Sequence, residues 1–311
     1  MLDINDLDFI RYFFNSIFLL FSVIMIPLNL IILYILKFKC EFKRTEITLM
    51  FILSIVELFS GFSLFVIPLC LIIIGKPFFE KGSATCQFAV VSYNILIRTG
   101  VCIVCIISVM RYLVVCHNIR LPKWIWLTIT TVCLSPIIGT FSYTISVMDG
   151  RPSPSYIQCG GLGNGTEVAN TLQIFGGVYM AIQAWLITVA YLLICYNVYK
   201  KLNTVLKEAK MSDDRETCTS LYRQRNNLFG QVALIIWVYN ITYMFSYVTQ
   251  VLKVTIGYKR TPFLDAVVMM MIMFPCLCNP IVTLSFQPEV KCEFQALMVR
   301  FWARMKAFFH R

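Results

Sequence analysis

Charge is scarce in this sequence. Only 14% of its 311 residues are Asp, Glu, Lys or Arg, and only 2 are histidine. Soluble globular proteins carry about 25% charged residues, so a cytosolic enzyme, a nucleic-acid-binding domain and a disordered chain are poor readings. His117 and His310 have no Cys, His or Asp cluster beside them, and neither a zinc site nor another metal or cofactor is expected. Internal repeats and low-complexity segments are missing too. A cleaved signal peptide is not expected: the first residues are acidic (Asp3, Asp6, Asp8), and the apolar run behind them is too long for a signal core.

What fills the space is apolar. The hydrophobic share is 59% and the mean hydropathy +0.75, against about 45–50% apolar in soluble domains. The surplus must face a solvent other than water, and the bilayer is that solvent. Thirteen cysteines is an odd number, so at least one stays outside any intrachain disulfide. Most lie within apolar runs, as do Cys102, Cys133 and Cys276, where they act as small hydrophobes.

Seven apolar stretches are long enough to span: residues 12–36, 47–74, 86–116, 124–148, 172–199, 228–253 and 263–286. Each exceeds the roughly 20 residues that cross the hydrocarbon as a helix. They predict an all-α membrane protein, a seven-transmembrane helix bundle over 1–286. Basic residues orient it: 19 of the 27 Lys and Arg fall in the first, third and fifth connections and the tail, 7 on the other side, and Arg98 alone in mid-membrane. Positive charge inside puts the N-terminus outside and the tail in the cytoplasm. The sequon Asn164-Gly165-Thr166 falls in a loop that this topology places outside, so Asn164 is the expected glycosylation site. The long fifth connection reads as two helix ends around a flexible centre near Ser212-Asp213-Asp214.

After Pro288, apolar residues Val290, Phe294, Leu297, Met298, Phe301, Trp302 and Met305 recur at helical spacing, with Lys291, Arg300, Arg304 and Lys306 between them. Residues 287–311 are therefore read as a cytoplasmic amphipathic helix and tail lying on the inner leaflet, where Cys292 is a palmitoylation candidate. Cys86 opens the third span and Arg111 closes it 25 residues later, a rise of about 38 Å. Cys159 lies just before the sequon in an oxidising compartment, where a disulfide to Cys86 would persist and tie the loop over the bundle.

These residues resemble the class A (rhodopsin-like) G-protein-coupled receptors. The first span has Asn29; the second, Leu53-Ser54-Ile55-Val56-Glu57-Leu58, is similar to L-A-x-A-D-L with Glu57 for aspartate. Ser108-Val109-Met110-Arg111-Tyr112-Leu113 resembles S-x-D-R-Y-L with methionine for the acid. Trp126 and Pro136 mark the fourth span, Cys195-Tyr196 the fifth, Trp237 the sixth, and Asn279-Pro280-Ile281-Val282-Thr283 resembles N-P-x-x-Y without its tyrosine. The resemblance implies a plasma-membrane receptor, not an enzyme, that binds a ligand and activates a heterotrimeric G protein. It assigns the switch to Arg111, Tyr112, Tyr196, Trp237, Asn279 and Pro280. Ligand-lining positions are Tyr93, Asn94, Ile97, Asn240, Met244, Met269 and Met273. Tyr93 in the place of the amine receptors' aspartate argues against a biogenic amine, and Met273 in the place of the opsin lysine excludes a retinal Schiff base.

Asn29 reads as an interhelical hydrogen-bonding residue. Glu57 and Arg98 are intramembrane charges, which are costly and usually functional. Arg98 is read as paired with an acid such as Glu57, in preference to holding an anionic ligand group or resting on carbonyls and glutamine. Met110 cannot supply the carboxylate that restrains Arg111 in the family, no acid stands near Thr219, and Tyr239 replaces the proline of the sixth span. The resting bundle is thus expected to lack an ionic restraint and to signal without ligand. A receptor-shaped scaffold or decoy is the alternative. A transporter or channel fits less well, given the odd span count and the absence of inverted halves.

Overall fold

The computed structural model describes residues 4–40, 44–162, 165–211 and 215–309. Its helices are α1 (Ile4–Phe38), α2 (Thr45–Ile74), α3 (Ala84–His117), α4 (Lys123–Ser146), α5 (Glu167–Met211), α6 (Arg215–Ile236), α7 (Thr242–Ile256), α8 (Pro262–Phe286) and α9 (Pro288–Phe309). A π turn, Trp237–Ile241, joins α6 to α7, and the three make one membrane span. Seven spans are thus long and apolar enough to cross a bilayer. Ser212, Asp213, Asp214 and Asn164 lie outside the described residues, so neither the flexible centre nor the glycosylation site is placed.

The helices turn their polar groups and apolar residues such as Phe18, Met25 and Ile103 inward and leave other large apolar side chains such as Leu20, Phe59 and Trp185 facing out. In hydrocarbon that outward face has nothing to lose. α3 runs through the middle and packs against α2, α4, α5 and α8, while α1 packs against α2 and α8 and closes the ring. Gly61 lets α1 and α2 approach, since a Cβ there would stand 3.1 Å from Ile26 Cγ1.

Water is absent from the bilayer core, so hydroxyls must find acceptors within the protein. Most return to their own helix: Ser60 to Val56 O (3.0 Å), Ser108 to Val104 O (2.7 Å), Thr130 to Trp126 O (2.8 Å). Asn29 does the same, donating to Met25 O at 3.1 Å. Among the described residues it makes no bond to a neighbouring helix, which corrects the interhelical role expected of it.

The sixth span holds no proline. Its irregularity comes from the π turn centred on Tyr239, which accommodates one extra residue and rotates every side chain beyond it relative to a straight α-helix. α3 and α8 begin on side-chain caps: Ser83 accepts from Cys86 N at 3.2 Å, and Thr261 from Leu264 N at 3.3 Å. α9 buries Val290 and packs Phe294 and Leu297 on the bundle, leaving Phe301 and Trp302 exposed. An Arg44–Glu289 ion pair ties its first turn to the start of α2.

Over the outer end lies a hairpin of two short antiparallel strands, β1 (Arg151–Pro152) and β2 (Cys159–Gly160). A Cys86–Cys159 disulfide staples it to α3, with Cα atoms 5.4 Å apart. At its tip the Ser155 hydroxyl donates to Asp265 Oδ2 at 2.7 Å, which pins it to α8. Replacing either cysteine by serine should destabilise the fold by about 2–5 kcal/mol, the range for native bridges, and lower surface expression. Peptide mapping of folded protein checks the pairing; two free thiols at 86 and 159 would refute it.

Candidate functional site

The inner end of α3 presents Arg111, and the structure surrounds it. Glu46, in the first turn of α2, accepts from Arg111 Nε at 2.8 Å and lies 2.7 Å from Nη2. Tyr191 Oη of α5 accepts from Nη1 at 2.9 Å. Gln287, at the α8–α9 junction, accepts from Nη2 at 2.8 Å and returns its own amide to Glu46 at 3.3 Å. One guanidinium thus holds four elements together by charge-assisted bonds. This overturns the expectation of an unrestrained arginine. The acid comes from α2, 65 positions away, because the bundle brings the start of α2 beside the end of α3.

Three residues assigned to the switch lie apart from the Arg111 cluster in this structure. Tyr196 points out of the bundle, 65% exposed, whereas Tyr191 is 6% exposed and reaches Arg111. Five helical positions rotate a side chain by about 140°, so the two cannot share a face. Tyr112 turns to the inner loop, its hydroxyl 3.0 Å from His117 Nε2. Trp237 sits edge-on to Phe274 at 5.7 Å and stays 44% exposed.

Above Arg111 a cavity of about 50 Å³ runs between α2, α3, α5, α6 and α8, with Tyr191, Tyr239, Asn279 and Thr283 on its wall. Thr283, short where the family has tyrosine, leaves part of this space open. At the upper end Tyr239 Oη donates to Asn279 Oδ1 at 2.6 Å, and Asn279 Nδ2 donates to Glu57 Oε1 at 2.6 Å. The chain crosses from the sixth span through the seventh to the second. Glu57, 3% exposed, is therefore the partner of Asn279, and the Arg98–Glu57 pair is not formed.

Towards the outer face a larger cavity, about 400 Å³, opens under the hairpin. That is within the range of small-molecule sites. Of the residues expected to line it, Asn94 and Met269 do so. Ile97 borders an adjoining deeper space. Tyr93 and Met273 are buried in the packing instead, and Asn240 donates to Thr188 Oγ1 at 2.6 Å. Met244 is 60% exposed on the lipid face, rotated outward beyond the π turn. Arg98, Arg151, Lys259 and Arg260 line the cavity with one acid, Asp265.

Sequence reasoning missed Glu46, Tyr191, Gln287 and Asp265. Asp265 is buried, takes Ser155, and lies 3.6 Å from Arg260. Arg260 also donates to Thr249 Oγ1 at 2.9 Å. Burial pushes the Arg260 guanidinium below its ordinary value and Asp265 opposes that push; arginine stays charged throughout. Among the described residues no three His, Cys, Asp or Glu side chains gather where they could hold a metal ion.

The family described as 7 transmembrane receptor (rhodopsin family) matches residues 28–282 of the chain. No curated protein matches it.

The Arg111 cluster makes a prediction about Tyr191 against Tyr196. Tyr191→Phe leaves one guanidinium N–H without its acceptor and should destabilise the fold by about 1–3 kcal/mol. Tyr196→Phe, on the exposed face, should stay within about 0.5 kcal/mol. Thermal unfolding of the detergent-solubilised protein measures both. Equal effects would show that the Tyr191–Arg111 bond contributes nothing.

Proposed function

The chain belongs to the rhodopsin family of seven-transmembrane receptors, and from that premise we propose that it binds a ligand in the outer cavity and activates a heterotrimeric G protein at the plasma membrane. The observation that carries this reading is the Arg111 cluster. A family switch arginine is held shut by three partners from three other elements. Such an assembly has two arrangements, closed and released, and a ligand shifts their balance by binding one better than the other. Beneath the outer cavity Tyr243 stacks on Tyr239 at 6.5 Å, and Tyr239, joined through Asn279 to Glu57, borders the cavity that ends on Tyr191 and Arg111. The π turn gives the sixth span a place to bend along that route.

In this reading Glu46 supplies what Met110 lacks, so departure from the family pattern does not by itself leave the receptor open. That favours a regulated receptor over a decoy. Cys292, exposed on α9, is the proposed palmitate anchor, and Asn164 the proposed glycan site on the outer side.

The test is nucleotide exchange on a G protein from the protein's own source, without ligand. Glu46→Gln removes the charge of a partly exposed pair worth of order 1 kcal/mol. That should raise basal exchange about fivefold, the population shift such an energy produces. Arg111→Ala should abolish it. A basal rate that Glu46→Gln leaves unchanged would remove the restraint from the mechanism, and no exchange in any variant would leave the decoy reading.

A further inference from the structure

Arg98 lies 12 residues below Cys86 on α3, about 18 Å into the membrane. A cation at that depth requires a partner. Its protein contacts are slight: Nη1 reaches Gly176 O at 3.4 Å, and the guanidinium stands over the Phe141 ring at 5.3 Å. No carboxylate faces it among the described residues, because Glu57 is committed to Asn279, and Asp265 to Ser155 and Arg260.

The surroundings of Arg98 repeat the same imbalance. Tyr243 and Tyr247 share with it a small space beneath the outer cavity, and both hydroxyls are buried without a hydrogen-bond partner among the described residues. Tyr243 is only 2% exposed. At the mouth, Lys259 forms no ion pair among the described residues, and Arg151, 3.5 Å from Asp149, also lines the cavity. The site therefore offers a guanidinium fork and two phenols, with acceptors in short supply. Gly176 keeps room for that fork: a Cβ there would stand 2.8 Å from Arg98 Nη1.

We propose that the space beneath the outer cavity, reached through it, seats an oxyanion head group, carboxylate or phosphate, between Arg98, Tyr243 and Tyr247. An oxyanion accepts a bidentate bond from the fork and further bonds from the hydroxyls, which supplies the missing countercharge. Lys259 and Arg151 draw it in from the outer side. The role of this event in signalling rests on the receptor reading above; the binding itself does not.

The experiment uses full-length receptor in nanodiscs of phosphatidylcholine, titrated with octanoate, octyl phosphate, octanol, acetate and inorganic phosphate. The readout is the saturable rise in unfolding midpoint. Octanoate or octyl phosphate should bind at least tenfold tighter than octanol, and Arg98→Gln should erase that preference. Acetate or inorganic phosphate binding as tightly as its octyl counterpart would support a water-borne anion; a need for the octyl chain would support a membrane amphiphile. Octanol equal to octanoate and octyl phosphate, or a preference that survives Arg98→Gln, would overturn the proposal. Should Arg98→Gln fail to fold, Gly176→Ala displaces the guanidinium while keeping its charge and should weaken anion binding at least tenfold. Arg98→Lys, which keeps the charge but loses the fork, should fall between wild type and Arg98→Gln. Nucleotide exchange on the same samples separates the two readings. Anion binding without exchange would defeat coupling and leave the anion site, whereas exchange with no anion binding would do the reverse.

Discussion

The structure depends on one constraint: inside the bilayer no water is available to satisfy a polar group. Every hydroxyl, amide and charge that the helices carry inward must be answered by another part of the bundle. Serines and threonines answer themselves by folding back on their own helix. Glu57, Asn279 and Tyr239 answer one another across three spans. Arg111 is answered by a carboxylate, a phenol and an amide. Of the groups left open among the described residues, Arg98, Tyr243 and Tyr247 share one space, and there something from outside the chain belongs.

Three of the departures from the family pattern draw different responses from the surrounding structure. Met110 is buried and apolar, and the restraint moves to Glu46 on a neighbouring helix. Tyr239 stands where a proline would break the helical ladder, and a π turn supplies the irregularity without it. Thr283 is not replaced by another side chain; the space remains as part of the cavity above Arg111. Charge, backbone shape and volume are thus separable requirements. The first two are met by other means here, and the third is left unfilled.

The seven spans were legible because the bilayer imposes a length that composition alone reveals, and the resemblance in motif order located Arg111, Glu57 and Asn279. What the sequence did not disclose was pairing. Glu46 and Arg111 are 65 positions apart, and Gln287 lies 176 positions beyond Arg111. No local period links such residues. The ligand-facing positions of the sixth span failed for a different reason: they assumed an unbroken 3.6-residue repeat, and the π turn adds one residue to it. Met244, expected in the cavity, faces lipid as a result. Tyr196 and Tyr191 show the same sensitivity, since the choice between them is a question of helical phase.

The close approach of Gly176 to Arg98 also governs how this receptor can change over generations. The two positions lie 78 residues apart in the chain, yet they occupy one volume. A lineage that first exchanges Arg98 for a smaller side chain removes the nearest obstacle to a Cβ at 176. One that first adds a side chain at 176 meets the guanidinium at once. A side chain at 176 is compatible with Arg98 only if the guanidinium, the far end of a flexible side chain, leaves its present seat, so the two positions are expected to change together.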